Sequence, residues 1–398
     1  MAKLKVAMIA PPWLKIPPEG YGGIEVVVDG LMRQLIKLGV EVDLFTIGPS
    51  RLRGSKLYSL YKTEQYHHIH RPFYESSPIV ITQLQFALNK IRASGKYDII
   101  HDHNPYIGPL ALYWATELPD MPPAVHTLHG PPFTGANDND LVLPENTAMW
   151  QQLGGAKRLY YIGISEALTK AAPRQLKAQI LPAVHNAIDV RKFPFQAKKK
   201  DHFITLARFT RDKGQHTAAR LCHKLGYRLE MMGVVAGITS PRKLLLALAN
   251  PLSEYRQYND FKYYHDFVWP ITLKDPKIRY VGNLGGEKKL KFLSEAKALL
   301  FPIDWEEPFG VAPIEALACG TPVVAMNRGA LSEYIEHGVN GFLANNIAEF
   351  EEYMQRVDEI DPAACRKSVE KKFSIEKMGR SYLDRYQDVI KRDKALKK

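Results

Sequence analysis

The chain has 398 residues, and its 54 Lys and Arg residues exceed its 42 Asp and Glu residues, for a net charge of +12. The length allows two or three domains with ample cores, and the 45% hydrophobic and 24% charged fractions exclude a disordered or fibrous protein. No apolar run approaches the ~18 residues that a membrane-spanning helix needs. The N-terminal apolar stretch is too short for a signal peptide because Pro11 and Pro12 interrupt it. Three cysteines without paired spacing support neither a disulfide framework nor a cysteine metal site. We therefore expect a soluble, cytoplasmic enzyme.

The positive charge is distributed unevenly, with a net +3 in residues 1–185 and +9 in residues 186–398. Such an excess is compatible with nucleic acid, anionic lipid, a phosphorylated small ligand or simply a solvated basic surface. No zinc-finger spacing, RNP-type aromatic motif or basic zipper is present, so we expect no nucleic-acid partner.

The first half of the chain alternates short apolar strands with amphipathic helices. A strand at Leu4–Ile9 is followed by a Pro- and Gly-rich loop, then by apolar residues at helical spacing from Ile24 to Leu38, and Gly39 ends that helix. Further strands are predicted at Val40–Phe45, Tyr97–His101, Ala124–His129 and Tyr160–Ile164. This alternation predicts a mostly parallel sheet with helices on both faces.

The alternation restarts after residues 182–201, whose prolines and lysine run are typical of an interdomain linker. The second half has predicted strands at Phe203–Ala207, Arg228–Gly233, Arg279–Val281, Ala298–Phe301 and Pro322–Ala325. We predict an α/β protein of two doubly wound Rossmann-like domains, 1–185 and 186–375, facing a central cleft. An amphipathic helix at about 376–390 is expected to cross back, so that residues 376–398 join the first domain.

The segment Trp305–Gly320 has the pattern most suggestive of chemistry. Glu307 and Glu315 are eight residues apart, and their carboxylates are suited to accept hydrogen bonds from sugar hydroxyls. Gly310 and the residues after it offer free backbone N–H groups at a helix start, which suit a diphosphate. The alternative is that Glu307 caps this helix while Glu315 lies solvated on its surface.

This segment, with the sequence that follows it, resembles a retaining glycosyltransferase of family 4, also called glycosyltransferase group 1, with the GT-B fold. The E-x7-E signature corresponds to Glu307 and Glu315, and the following A-C-G-T-P-V-V-A and G-x-x-G-F-L blocks correspond to Ala318–Ala325 and Gly338–Leu343. The resemblance extends over nearly the whole chain and is most specific in the C-terminal half. It assigns Phe309, Gly310, Val311 and Glu315 to donor binding and Glu307 to the catalytic site.

The resemblance also assigns roles to residues elsewhere. Arg208 and Lys213, five residues apart, correspond to a pair that neutralises the donor diphosphate, where a leaving group develops charge. Gly22 and Gly23 correspond to a Gly-Gly loop whose backbone approaches the donor phosphates or the acceptor. His129 corresponds to a strand-end histidine beside the transferred sugar.

The histidines near His129 leave alternatives open. His101, Asp102, His103 and His126 lie at predicted strand ends, where imidazoles and a carboxylate also suggest a metal site. His126 and His129 would point to opposite faces of a strand, which argues against a metal site. The resemblance favours donor contact by His129 over a purely structural histidine, and we expect no metal and no cofactor.

Two stretches depart from the family pattern. The usual Asn-Gly-Ile-Asp reads Asn186-Ala187-Ile188-Asp189, so its turn must be compatible with alanine. Residues 237–264 are longer and more aromatic than usual, and this insertion could shape donor choice, pack under a subunit or cover the core.

The resemblance implies a hexosyltransferase that moves sugar from a nucleotide-diphosphate sugar to an acceptor hydroxyl, with retention and without metal. A non-catalytic nucleotide-sugar-binding subunit, or a GT-B epimerase or phosphorylase, is the alternative. The donor base, sugar and oligomeric state are left open, and the acceptor is a saccharide, a lipid-linked molecule or a small molecule. Residues 49–78 interleave basic and aromatic side chains, which suits an anionic acceptor, at most peripheral membrane contact, a protein partner or ordinary surface.

Overall fold

The computed structural model describes residues 3–18, 22–69, 73–130 and 147–397. The chain divides into two compact units, and the division lies between Ala187 and Ile188. The N-terminal unit comprises residues 1–187 and 375–398, and the C-terminal unit comprises residues 188–374.

The N-terminal unit contains a seven-stranded sheet in the order β3-β2-β1-β4-β5-β6-β7. Its strands pair in parallel. Because helices cover both faces of such a sheet, its central strands are buried almost throughout, including the polar residues of β4 and β5. The strands are β1 (Lys5–Ile9), β2 (Glu41–Phe45), β3 (Leu57–Tyr58), β4 (Ile99–Asp102), β5 (Ala124–Leu128), β6 (Leu159–Gly163) and β7 (Ile180–Leu181).

The helices of this unit are amphipathic segments between the strands. The first of them buries Val27, Val28, Leu31 and Leu35 on one side and ends before Gly39, whose φ of +88° suits a residue without a Cβ. The helices are α1 (Ile24–Lys37), α2 (Phe73–Ser94), α3 (Ile107–Thr116), α4 (Thr147–Gln152) and α5 (Glu166–Lys170).

The C-terminal unit contains a six-stranded sheet in the order β10-β9-β8-β11-β12-β13, again paired in parallel. Its strands are β8 (Phe203–Leu206), β9 (Leu229–Met232), β10 (Ile278–Gly282), β11 (Ala298–Phe301), β12 (Val323–Met326) and β13 (Gly341–Ala344). Its helices are α6 (Gln215–Leu225), α7 (Pro241–Ala249), α8 (Asn259–Tyr263), α9 (Trp269–Lys274), α10 (Gly286–Glu295), α11 (Val311–Ala318), α12 (Ile347–Gln355) and α13 (Pro362–Lys372).

Each sheet has a strand at which the chain order reverses. In the N-terminal unit β1 lies between β2 and β4, and in the C-terminal unit β8 lies between β9 and β11. Loops that follow such a strand lie at the point where doubly wound sheets bind ligands. The loops containing Gly22 and Arg208 follow β1 and β8, respectively. The predicted doubly wound α/β class is confirmed for both sheets.

The last helix, α14 (Ile375–Leu396), packs on α1 of the N-terminal unit. Its Tyr382, Tyr386 and Val389 are fully buried in the same core cluster as the β1 side chains. The two helices approach closely at Gly379, where an added Cβ would lie 2.6 Å from the Cβ of Gln34. Among the described residues, no helix combines the length and apolar character needed to cross a membrane.

We predict that Gly379→Ala lowers the melting temperature of the N-terminal unit, because a methyl group at this position forces α14 away from α1. Overpacking of this kind typically costs about 1–3 kcal/mol. Gly30→Ala is the matched control, because its Cβ would meet Ile375 at an ordinary 3.6 Å and alanine favours a helix. Thermal unfolding should therefore show a lower melting temperature for Gly379→Ala and no decrease for Gly30→Ala. Equal changes in the two variants would contradict the close approach of α14 to α1.

Candidate active site

Arg208 and Lys213 lie on the loop between β8 and α6, which we call the β8 loop (residues 207–214). Gly214 ends this loop with φ of +70°, and a Cβ there would lie 1.9 Å from the carbonyl oxygen of Pro302, so the turn requires glycine. The buried side chain of Gln215 donates a hydrogen bond of 2.8 Å to the Arg208 carbonyl. The Arg208 side chain remains 51% exposed and is therefore available to a ligand.

Lys213 and Glu307 are brought into direct contact. The Lys213 Nζ lies 2.6 Å from the Glu307 Oε2, and the Glu307 side chain is only 7% exposed. The indole Nε1 of Trp305 donates to the same oxygen at 3.1 Å, while the Lys213 Nζ lies 4.1 Å from the Trp305 ring centroid. Sequence reasoning missed Trp305, because only the fold brings its ring beside the lysine.

The start of α11 carries the second group of predicted donor-binding residues. Gly310 precedes the helix with φ of +81°, and Val311 begins it with a partly exposed side chain. The Tyr334 hydroxyl hydrogen-bonds to the carbonyl of Phe309, whose ring is buried, and so holds this turn in place. No side chain caps the first N–H groups of α11, so they are suited to donate hydrogen bonds to an anion.

The alternative reading of the two glutamates is wrong. Glu307 does not cap α11, because its carboxylate binds Lys213 and Trp305 instead. Glu315 is not solvated, because its side chain is 10% exposed and its Oε1 lies 2.7 Å from the Nζ of Lys289 on α10. Both carboxylates are therefore held in place by cations.

The aromatic insertion packs against the β8 loop. Residues 259–274 form one helical stretch in which α8 and α9 are joined by a π-helical turn at Tyr264–Val268, and we call it the aromatic helix. The hydroxyl of its Tyr263 accepts from the His216 backbone N–H at 3.1 Å and donates to Gln215 Oε1 at 3.3 Å. Asp260 lies 3.8 Å from the Arg208 guanidinium. Of the three roles left open for the insertion, the structure displays cover for the core, because Phe261, Tyr263 and Tyr264 are buried.

In the N-terminal unit, Gly22 and Gly23 lie just before α1. A Cβ on Gly22 would lie 2.8 Å from the Pro18 ring, whereas one on Gly23 would meet nothing within 4 Å. Two residues later, the carboxyl of Glu25 is buried at 5% exposure. Burial, with a smaller contribution from Glu64, raises the pKa of Glu25 to about 7.

The strand-end histidines separate into two groups. On one face of the sheet the His126 Nδ1 lies 2.7 Å from Asp102, which also accepts from Asn104. On the other face the His129 Nε2 lies 2.7 Å from the His103 Nδ1. Burial lowers the pKa of His129 to about 3, so its ring is neutral. Among the described residues, no group of three or more His, Cys, Asp or Glu side chains is arranged to hold a metal ion.

The segment 49–78 is not a single loop, because it contains β3 and the start of α2 at Phe73. Tyr58 stacks on Phe45 and Tyr61 donates to the Ile79 carbonyl, so these two aromatic residues have structural roles. The basic residues Arg51, Arg53 and Lys56 are exposed, whereas Arg71 lies outside the described residues.

The turn that departs from the family pattern is compatible with alanine. Tyr106 and Ala236 are the non-glycine residues with positive φ in the described part of the chain, and Ala187 is not among them.

We predict that Glu25 makes the stability of the N-terminal unit depend on pH. Because its folded pKa of about 7 exceeds the ordinary 4.5, the neutral carboxyl stabilises the fold fully below pH 4.5, and this contribution disappears as the pH rises through 7. The difference amounts to about 3 kcal/mol. Glu25→Gln should therefore melt close to the parent at pH 5 and well above it at pH 8. An equal difference at both pH values would contradict the burial of an ionisable carboxyl.

Comparison with known proteins identifies the family of this chain. Residues 188–371 match the family model for glycosyl transferases group 1, and residues 21–192 match that for glycosyltransferase family 4. The D-inositol 3-phosphate glycosyltransferase of Paenarthrobacter aurescens is 26% identical over 363 residues, which cover 81% of each chain.

Two solved structures share the fold. Sucrose-phosphate synthase of Thermosynechococcus elongatus is 20% identical, with a TM-score of 0.75 and coverage of 97% of this chain and 99% of that chain. The Anabaena protein HepE, solved in complex with UDP-glucose, is 14% identical, with a TM-score of 0.62 and coverage of 96% and 99%. The two matched family models together span most of the chain, which is therefore a GT-B enzyme that belongs to the glycosyltransferase group 1 family, family 4.

Proposed function

We propose that this glycosyltransferase moves a hexosyl group from a nucleoside-diphosphate sugar to an acceptor hydroxyl, with retention of anomeric configuration and without a metal ion. The observation that carries the proposal is the contact of Lys213 with Glu307, 2.6 Å long, on a loop that also carries the half-exposed Arg208. One short surface thus offers cations for a diphosphate and a carboxylate for sugar hydroxyls. Retention is supported by the family resemblance.

The leaving diphosphate gains negative charge as its bond to the sugar breaks. Arg208 and Lys213 are fixed cations that stabilise this charge, and the uncapped N–H groups at the start of α11 add to their field. A donor phosphate at Lys213 would compensate its charge in place of Glu307, so the carboxylate would become free to accept hydroxyl hydrogen bonds. The acceptor hydroxyl then attacks from the face that the diphosphate has left, and its proton passes to the departing phosphate oxygen.

In this proposal the two glutamates divide the donor between them. Glu307 accepts from hydroxyls of the transferred sugar, whereas Glu315, held by Lys289, accepts from the ribose hydroxyls. The backbone of Phe309, Gly310 and Val311 approaches the diphosphate. The family resemblance also assigns donor contacts to Gly22, Gly23 and His129. The exposed basic residues of segment 49–78 are the candidate contacts for an anionic saccharide or a lipid-linked acceptor.

A panel of UDP-, GDP- and ADP-sugars tests the function directly. We expect one donor class to release its nucleoside diphosphate faster when an acceptor is added, with transfer detected as a glycosylated product. UDP-glucose is the first candidate because HepE was solved in complex with it. Activity should persist in EDTA, and an enzyme inactivated by the chelator would contradict metal independence. Binding without turnover across the panel would favour a non-catalytic subunit.

Arg208→Ala and Lys213→Ala should each lower turnover by about 10²–10³, which is typical for the loss of one preorganised charge at a developing anion. Arg208→Ala is the cleaner variant, because Arg208 is half exposed and its removal leaves no buried charge unpaired. Lys213→Ala strands the buried Glu307, so its melting temperature must be measured alongside. Arg220→Ala, an exposed change on α6, is the control and should keep parental turnover. Full activity in both active-site variants would remove the diphosphate assignment.

Glu307→Gln should separate sugar recognition from nucleotide binding. The amide can still accept from the Trp305 indole, but it loses charge-assisted hydrogen bonds, which are roughly twice as strong as neutral ones. Turnover of the complete donor should therefore fall much more than affinity for the nucleoside diphosphate, measured by calorimetry. Glu315→Gln should lower the affinity for the complete donor and for the nucleoside diphosphate to a similar extent. Equal losses on both ligands in the Glu307 variant would contradict the division of roles.

A further inference from the structure

His129 is connected to two residues that the proposed mechanism does not use. His103 follows β4, His129 follows β5, and the His103 Nδ1 lies 2.7 Å from the His129 Nε2. On the far side of the fully buried His103 ring, its Nε2 lies 3.1 Å from the Sδ of Met8 in β1. The three side chains therefore form a line from β1, past the end of β4, to the end of β5.

The strand register puts these side chains on one face of the sheet. Met8 pairs with His101 and His101 pairs with Val125, so residues 8, 101, 103, 125, 127 and 129 share a face. Asp102 pairs with His126 on the opposite face. The ring of His101 lies against that of His103, with centroids 4.1 Å apart, and so restricts its plane.

The sulfur of Met8 decides where the protons lie. A thioether has lone pairs but no proton, so the short contact is favourable only if His103 carries its proton on Nε2. Burial lowers the pKa of both His103 and His129 well below its ordinary value, so each ring carries a single proton. The His103 Nδ1 is then an acceptor, and the His129 Nε2 must donate to it. The remaining nitrogen of His129, Nδ1, keeps only a lone pair and has no hydrogen-bond partner among the described residues.

The hydrogen bonds of His101 impose no such choice. Its Nδ1 lies 2.6 Å from the Tyr386 hydroxyl and its Nε2 lies 2.7 Å from the Thr127 hydroxyl. Because a hydroxyl both donates and accepts, either tautomer of His101 is satisfied. Met8 is therefore what makes the His103–His129 line directional.

We propose that Met8 and His103 are positioning residues that lock His129 in the tautomer with its proton on Nε2, so that its Nδ1 accepts a hydrogen bond from a hydroxyl of the transferred sugar. This inference rests on the proposed function for the contact between His129 and the sugar. It makes the enzyme selective for a donor that carries a hydroxyl at that position. A deoxy sugar has no hydroxyl to donate, so the Nδ1 of His129 is left without a hydrogen bond. A carboxylate at the same position places its own lone pairs against that of Nδ1, so both donors are disfavoured.

The tautomer can be measured without any donor. In the protein labelled with ¹⁵N-histidine, His129, assigned by comparison with His129→Gln, should have a protonated Nε2 and an unprotonated Nδ1. Met8→Leu keeps a similar apolar volume but removes the sulfur acceptor, so the Nε2-protonated form of His129 should lose its dominance. Met32→Leu is the matched control, because Met32 is equally buried in the same core and makes no hydrogen bond to a histidine among the described residues. His103→Phe, which removes the acceptor altogether, should reproduce the effect of Met8→Leu. A His129 that is protonated on Nδ1 in the parent, or unchanged in both variants, overturns the proposal.

The consequence for the donor is tested with UDP-glucose and its 2-, 3-, 4- and 6-deoxy analogues, or with the corresponding series of whichever nucleotide the panel selects. One analogue should react at least about tenfold more slowly than the parent sugar, the effect of one lost hydrogen bond. In Met8→Leu that ratio should shrink severalfold, whereas Met32→Leu should keep it. A correct tautomer with unchanged ratios would overturn the selectivity, whereas a correct tautomer in a protein that turns over no donor would count against the proposed function instead.

Discussion

The contact between Lys213 and Glu307 is the interaction on which the candidate site of the C-terminal unit depends. Both groups are largely buried, and an ion pair in such surroundings rarely stabilises a fold more than apolar side chains of the same size would. Its two partners come from the loops after neighbouring strands β8 and β11, and those loops are joined again where the Asp304 N–H donates to the Asp212 carbonyl at 2.8 Å. The pair therefore keeps a cation and a carboxylate in fixed positions for a ligand that needs both.

The rest of the unit restricts the freedom of this pair. Gly214 lets the β8 loop pass against Pro302, Trp305 holds the carboxylate oxygen, and Tyr263 binds the start of α6 from outside. Preorganisation of this kind matters for the proposed reaction, because fixed dipoles and charges need not rearrange when charge develops on a leaving group. The aromatic helix, which lies outside the family motifs, thus packs against both the β8 loop and the start of α6.

The N-terminal unit has neutral groups at its strand ends, where the C-terminal unit has an ion pair. Burial lowers the pKa values of His101, His103 and His129, so these three rings contribute hydrogen-bond direction rather than charge. Asp102 and His126 are bound to each other on the opposite face of the sheet from His103 and His129. Because a thioether only accepts, Met8 gives the His103–His129 line a single direction, which a hydroxyl in the same place would not.

Periodic burial and glycine-dependent turns are local properties of the chain, so they predict the alternation of strands and helices and the two doubly wound sheets. The family is indicated by motif blocks, which are also local. The strand at Ala298–Phe301 has the predicted bounds, and other elements differ by one or a few residues at their ends. The partners of the motif residues depend instead on the tertiary structure. Lys289 for Glu315, Tyr263 for the start of α6 and Met8 for His103 come from distant positions in the chain, and each contact depends on how the strands and helices pack. A local pattern contains no information about which side chain from a neighbouring strand or helix will face it, so these contacts arise only once the sheets have formed.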